Sequence, residues 1–264
     1  TGAQGAGPAL SGSVISTIRI AAANDAPVLT LPGSGTIAVT EDVASAVTGI
    51  TIADVDAAGG IVTVTFAIGA GTLTASSGSG VTVGGTDTAL TLTGSTTDIN
   101  AFIAAANVTF TTATDATDDV TLTVSVNDGG NSGTGGALTD SDTITLTVTA
   151  ANDAPVITVP GDATIAVTED VASALTGISF ADVDAGSSPV TVTLSVASGT
   201  LAATSGGGVT VGGTASALTL TGSITDINAF IAASNVDFTT AANDTTDVIL
   251  TVAIDDGGFS GSGG

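Results

Sequence analysis

The 264-residue chain contains no Cys, Met, Trp, Tyr or His, and its only basic residue is Arg19. Each absence closes off a chemistry. Without Cys there are no disulfides and no thiol nucleophile. Without His nothing stands ready to activate a serine, and without His and Cys a zinc hydrolase site lacks its usual ligands. No glycine-rich segment leads into a helix with a lysine, so the glycines do not read as a phosphate loop. Nucleic-acid binding needs clustered Lys and Arg to neutralise phosphates, which excludes that class of partner. The same lack argues against a hold on anionic membranes. No apolar run approaches the roughly 20 residues of a membrane-spanning helix, so no membrane insertion is expected. Asp54 and Asp56 are spaced like a glycosidase pair, but they flank a turn and no aromatic sugar platform accompanies them. The composition therefore predicts a protein that is not an enzyme.

What is present is acidic and apolar. Twenty-five carboxylates give a net charge of -24. Such a charge repels itself in the compact state, and bound hard cations would relieve it. Hydrophobic residues make up 43% of the chain, enough for a core. Sustained alternation and a positive mean hydropathy contradict a disordered chain. The Thr-, Gly-, Ala- and Asp-rich, Lys-free composition points to an extracellular or cell-surface location. No signal peptide or initiator Met is visible, which reads as a mature or excerpted chain.

Self-similarity organises the rest. Asn24-Asp25-Ala26-Pro27-Val28 recurs 128 residues later as Asn152-Asp153-Ala154-Pro155-Val156. At the same offset Thr36 to Val43 recurs at Thr164 to Val171, Ala53 to Ala57 at Ala181 to Ala185, and Asp98 to Ala105 at Asp226 to Ala233. Two copies of one domain are present. Gly264 aligns with Gly136, so the second copy lacks an equivalent of Ala137 to Ala151, while the chain opens with a similar segment, Ala9 to Ala23. The expected organisation is a strand in residues 1–22 that completes a preceding domain, a first repeat over 23–151, and a second over 152–264 without its last strand.

Within a repeat, apolar residues alternate with Thr or Ser, the pattern of a half-buried strand. Thr36–Thr40, Val62–Phe66, Ala89–Thr93, Val120–Val124 and Thr143–Val148 all show it. A further strand is expected at about Ala46 to Ile52. One short helix interrupts them, capped by Thr97 or Asp98, with Ile99, Phe102 and Ile103 toward the core. About nine short strands per repeat predict an all-β fold of tandem Greek-key β-sandwiches with one short helix each.

The only two glutamates, Glu41 and Glu169, hold the same position in the two copies, each followed by an aspartate, Asp42 and Asp170. In a sandwich with alternating strand directions, Glu41-Asp42 lies at the pole where the chain leaves. Asp54 and Asp56, with the Asn127-Asp128 turn, return to the pole where it arrives. At the junction of the copies, Glu41 and Asp42 then meet Asn152 and Asp153 of the linker and Asp182, Asp184, Asp255 and Asp256 of the second domain. This oxygen-rich set from three chain segments suits calcium, which takes six to eight oxygen ligands. Asn24, Asp25, Asp54, Asp56, Asn127 and Asp128 form one half of the same arrangement. Glu169 and Asp170 form the other, so the two halves would meet between neighbouring units.

These motifs together resemble the cadherin-like, VCBS-type repeats of giant bacterial adhesins. The resemblance rests on the Asn-Asp-Ala-Pro-Val linker, Thr-Glu-Asp after a strand, the Asp-Val-Asp-Ala loop and the closing Asp-Gly-Gly. Leu90-Thr91-Leu92-Thr93-Gly94 followed by Asp98-Ile99-Asn100-Ala101 also belongs to it. It implies a β-sandwich, calcium at domain junctions, secretion, and a role in adhesion, biofilm or surface filaments. The chain departs from animal cadherins, whose longer Asp-x-Asn-Asp-Asn linker is reduced here to Asn-Asp, and it carries no RTX nonapeptide.

The head segment has its own expectation. A domain without its last strand exposes a sheet edge that invites pairing. The strand at about Val14 to Ile20 (Val14, Ile15, Ile18, Arg19, Ile20) is suited to enter the second domain of another copy, giving a head-to-tail polymer. Ser16, at the position of Ile144, is the mismatch. The other reading is a tandem chain in which the same contact is covalently continuous. A glycan- or surface-binding adhesin module and an accessory domain of a larger surface enzyme are the remaining functional readings.

Overall fold

The computed structural model describes residue 5 and residues 11–57, 59–131 and 133–258. It is an all-β protein of two sandwiches that follow one another along the chain. The first contains β1 (Val28–Thr30), β2 (Thr36–Thr40), β3 (Ser45–Ala46), β4 (Thr51–Ala53), β5 (Val62–Ile68), β6 (Thr72–Thr74), β7 (Thr82–Thr86) and β8 (Ala89–Gly94). After helix α1 (Thr96–Ala104) come β9 (Thr109–Thr111), β10 (Val120–Asn127) and β11 (Thr139–Thr149). Six strands form its main sheet in the order β2-β11-β10-β5-β8-β7; β3-β9-β6 and the β1-β4 pair make the smaller sheets.

The alternation seen in the sequence decides which face is buried. Val62, Val64 and Phe66 of β5, Leu122, Val124 and Val126 of β10, and Ile144 and Leu146 of β11 point inward. They share one core with Val47, Ile50, Leu73 and Phe110 from the smaller-sheet side. β11 is central to this arrangement. It pairs antiparallel with β10 and parallel with β2, bringing Leu146 beside Ile37 and Val148 beside Val39.

Two local expectations are corrected. The strand expected over Ala46 to Ile52 is two short pieces, β3 and β4, in different sheets. Gly49, at φ +79°, turns the chain between them while Val47 and Ile50 stay buried. The helix cap is Ser95 rather than Thr97 or Asp98. Its Oγ accepts the N–H of Asp98 at 3.1 Å and its hydroxyl donates to Asp98 Oδ2 at 2.7 Å. Ile99, Phe102 and Ile103 are buried as expected.

The second sandwich repeats the first with a gap. It contains β12 (Val156–Thr158), β13 (Ser173–Ala174), β14 (Ser179–Ala181), β15 (Val190–Val196), β16 (Thr200–Ala203), β17 (Thr210–Thr214) and β18 (Ala217–Gly222). Helix α2 (Ile224–Ala232), β19 (Val236–Thr239) and β20 (Leu250–Asp255) complete it. Its main sheet has four strands, β17-β18-β15-β20, against six in the first. Among the described residues nothing stands where β11 stands. Residues 164–168, the counterpart of β2, are not a strand.

The head segment makes no strand over residues 11–22 in the single chain. Val14, Ile15, Ile18 and Ile20 are 84–96% exposed. Ala9 and Leu10, with which the expected strand region starts, lie outside the described residues, as do residues 259–264 of the second repeat. From Ala22 onward the chain is tied to the first sandwich: Thr134 N–H donates to Ala22 O at 2.9 Å and Asn24 N–H to Thr134 O at 3.2 Å. Among the described residues no helix is long and apolar enough to cross a membrane.

Candidate metal centre

The parallel pairing of β2 with β11 delivers two chain segments to the same pole. Glu41 follows β2, and Ala150 and Ala151 follow β11. Glu41 N–H donates to Thr149 O at 3.0 Å, and Ala151 N–H donates to Glu41 Oε2 at 3.0 Å. The Glu41 side chain is thereby roofed by the linker and is 1% exposed.

The second sandwich supplies the opposite wall. On α2, Asn228 clamps β14 through both edges of its amide: Phe180 N–H donates to Asn228 Oδ1 at 2.9 Å, and Asn228 Nδ2 donates to Phe180 O at 2.8 Å. This holds the loop that follows β14. There Asp182 Oδ1 accepts the N–H groups of Asp184 and Ala185 at 2.8 and 2.9 Å. The tight turn aims Asp184 at the linker, where Asp184 Oδ2 accepts the Asp153 N–H at 2.5 Å.

The result is a shared cluster. Carboxylate oxygens of Glu41, Asp153 and Asp184 lie within 4.8 Å of one another, and so do those of Asp42, Asp115 and Asp153. Oxygens bound to one calcium at about 2.3–2.6 Å are at most about 5 Å apart, so both triplets are compact enough to share an ion. Asp153 belongs to both. Burial pushes its carboxyl above the ordinary carboxylate value, and the neighbouring charges of Asp184, Asp115, Asp42 and Glu41 add to that. Asp153 Oδ2 and Asp182 Oδ2 are buried and have no hydrogen-bond partner. A buried carboxylate oxygen without a donor is costly, and a bound cation would offset that cost. Hard, all-oxygen donors of this kind fit a divalent cation.

Of the sequence-predicted junction residues, the fold gathers Glu41, Asp42, Asp153 and Asp184. Asp182, Asp255 and Asp256 stand outside both triplets. Asp255 and Asp256 are occupied in the turn: their Oδ1 atoms accept the N–H groups of Gly257 at 2.8 Å and Gly258 at 2.9 Å. Asp256 Oδ2 also takes the Nδ2 donor of Asn152 at 2.8 Å. Hydrogen bonds from Gly258 and Asn152 hold Asp256 below the ordinary carboxylate value, outweighing its desolvation.

Asp115 was not anticipated. It comes from the loop after β9, and its N–H lies 3.3 Å from both oxygens of Asp42. Asp42 is itself anchored by its N–H to Thr112 Oγ1 at 2.8 Å. Asp42 and Asp115 have φ of +53° and +55°, a conformation that Asp tolerates better than most residues. The available signal was the second copy, where Asn243 keeps an oxygen at the position of Asp115.

The other predicted set is divided between the two ends of the molecule. At the head pole, Asn24 Nδ2 donates to Asp128 Oδ2 at 2.6 Å, and Asp25 N–H to Asp56 Oδ2 at 2.5 Å. Asp54 Oδ1 accepts from Asp56 and Ala57, repeating the Asp182 turn. Asn127 Oδ1 caps Gly129 N–H at 2.8 Å. Asp128 is buried; desolvation works against its charge, but donors from Leu138, Gly130 and Asn24 hold its carboxyl below the ordinary value. At the tail pole Glu169 and Asp170 are exposed. Asp170 repeats the Asp42 contacts with Thr240 and Asn243 at 2.9 and 3.0 Å. Each pole thus has the local geometry of one side of the junction between the two sandwiches.

No protein-family model and no curated protein sequence matches the chain.

Proposed function

We propose that this chain is a structural repeat unit of an extracellular bacterial filament or adhesin stalk of the cadherin-like, VCBS type. Units join head-to-tail by strand addition, and calcium stiffens each domain junction. The observation that carries this reading is the unfilled place of one strand in the second sandwich. Leu250, Val252 and Ile254 of β20 are half-buried there, whereas Leu122, Val124 and Val126 at the same positions in the first sandwich are buried. A sheet edge with apolar residues half in water favours a partner strand. The exposed segment at the head carries Ile18 and Ile20 at the positions of Leu146 and Val148, with Ser16 in place of Ile144.

The carboxylate cluster supports the calcium part. Glu41, Asp42, Asp115, Asp153 and Asp184 would hold the ion, which would supply the positive charge that this acidic pole lacks. Because the ligands come from both sandwiches and the linker, the ion would lock the angle between domains. That is the property a load-carrying stalk needs.

Sizing by light scattering tests the reading. The full chain should form concentration-dependent polymers in calcium, and the chain lacking residues 1–22 should remain monomeric. A full chain that stays monomeric at high concentration in calcium would rule out assembly by strand addition.

A further inference from the structure

The first sandwich, with β11 in place, and the second, with no described residue in that place, are the filled and empty states of one fold in a single molecule. Comparing them defines how an incoming strand sits. Resting on the assembly reading above, we propose that residues 14–20 of a second copy enter between residues 248–254 and residues 164–168 in one register. In that register Arg19 faces Asp247, Thr17 faces Ile249, and Ile18 and Ile20 lie beside Ile165 and Val167. Insertion converts residues 164–168 into a strand and draws Glu169 into an intermolecular metal site.

The register follows from the 128-residue offset. In the first sandwich Thr145 pairs with Thr121 and Leu146 with Val120, where the ladder ends. Asp119 lies just beyond it, its Oδ1 accepting the Val148 N–H at 2.9 Å, and extending the register by one step sets Thr147 opposite it. On the parallel side, Leu146 pairs with Ile37 and Val148 with Val39. Thr17, Ile18, Arg19 and Ile20 occupy the positions of Thr145, Leu146, Thr147 and Val148.

Two features of the sequence fit this pairing better than the intramolecular one. The head strand has Ile15 where β11 has Thr143, and β20's approach has Ile249 where β10 has Thr121. Ile249 is 81% exposed, and the proposed register puts Ile15 on the same outer face. In the proposed register they are diagonal cross-strand neighbours, within side-chain reach of each other. Likewise the only cation of the chain, Arg19, replaces Thr147 and comes opposite the exposed carboxylate of Asp247. Apolar and charge complementarity both appear in the head strand and its acceptor, and in neither case between β11 and β10.

The acceptor is not the chain's own second sandwich. In the filled sandwich the residues after β11 reach Glu41, so in the second sandwich Ala22 would have to lie beside Glu169. Ala22 and Asn24 are instead fixed to the first sandwich by Thr134 and Asp128. A contact between unlike surfaces that cannot close on itself extends into a fibre.

The empty state also explains what insertion orders. Ile37 and Val39 are 8% and 3% exposed in the filled sandwich; Val167, the counterpart of Val39, is 38% exposed, and Glu169 is exposed where Glu41 is 1% exposed. Without a neighbour, residues 164–168 have no ladder to join. With one, the Glu169 carboxylate would accept the N–H of Ala23, as Glu41 accepts that of Ala151. It would then face Asp25 and Asp56 of the incoming molecule.

Cysteine cross-linking tests the register, in a chain free of native cysteines. Thr145 N–H points away from β10, toward Gly35 O on the β2 side. Thr17 and Ile249 should therefore form a non-hydrogen-bonded pair with Cα atoms about 4.5 Å apart, within disulfide range. The T17C/I249C chain, oxidised in calcium, should give a ladder of multiples of 24.7 kDa on a non-reducing gel. The T17C/A253C chain, displaced by four residues, should not. Equal ladders from both, or a ladder only from the displaced pair, would overturn the register. If both variants polymerise by light scattering and neither cross-links, the register fails while assembly stands. If neither polymerises and the unsubstituted chain is also monomeric, the assembly reading itself has failed.

Discussion

Glu41 and Glu169 sit in the same eleven-residue sequence, TIAVTEDVASA, at the same place in two copies of one sandwich, yet Glu41 is 1% exposed and Glu169 faces solvent. What differs is the neighbour. Thr149 and Ala151 cover Glu41 through two backbone contacts of 3.0 Å, and no described residue does the same for Glu169. The state of one carboxylate therefore reports whether the strand beside it is present.

Calcium should raise the melting temperature of the chain, and a chelator should reverse the rise. Ligand at about one hundred times its Kd adds about 2.7 kcal/mol to stability. Glu41→Gln and Asp184→Asn should remove most of the calcium-induced shift measured by calorimetry. Asp255→Asn, outside both triplets, should leave it unchanged.

In chelator the acidic junction should make stability fall as pH rises above the ordinary carboxylate value of 3.8. Asp153 has a raised value in the folded chain, so between 3.8 and that value the native state holds more protons than the unfolded chain does. Stability then decreases with pH through the window. Asp128 and Asp256 have the opposite sign: their lowered values contribute stability that is present above 3.8 and lost as pH falls through the folded values. Thermal melts from about pH 3 to about pH 7 should show both limbs, and Asp153→Asn should flatten the upper one.

Ser16→Ile should strengthen head-to-tail association. Ser16 falls where Ile144, 2% exposed, fills the first core. Burying an Ile side chain is worth about 1.5–3 kcal/mol, so dissociation of the polymer should slow by about tenfold or more. Dilution followed by time-resolved light scattering measures it; no change would place Ser16 outside the core of the acceptor.

Arg19→Glu should weaken association, and Asp247→Lys added to it should restore it. An exposed pair contributes about 0–1 kcal/mol, so the expected effect is up to about fivefold, largest at low salt. Failure of the second substitution to rescue the first would separate Arg19 from Asp247.

Much of this molecule was legible in its sequence because the determining signals are local. Alternation of Val, Ile and Leu with Thr placed β2, β5, β8, β10 and β11, since a period of two sends successive side chains to opposite faces. Duplication placed the linkers and directed attention to Glu41, Asp153 and Asp184, three groups that the fold does bring together. Asp115 escaped because its link to Asp42 spans 73 residues and no periodic pattern encodes it. Ser95 was passed over as the cap because Ser95, Thr96, Thr97 and Asp98 form one polar run, and only the chain's direction of approach selects among them.

The strand formed by Thr36–Thr40 and not formed by Thr164–Thr168 marks the limit most clearly. The two pentapeptides are identical, TIAVT, so no local propensity separates them. A β-strand satisfies its backbone hydrogen bonds through another segment, and burial of its apolar face depends on the same neighbour. Composition and periodicity determined that both stretches are able to be strands. Which of them is one was decided by β11, more than 100 residues away from β2 in the chain and beside it in the fold.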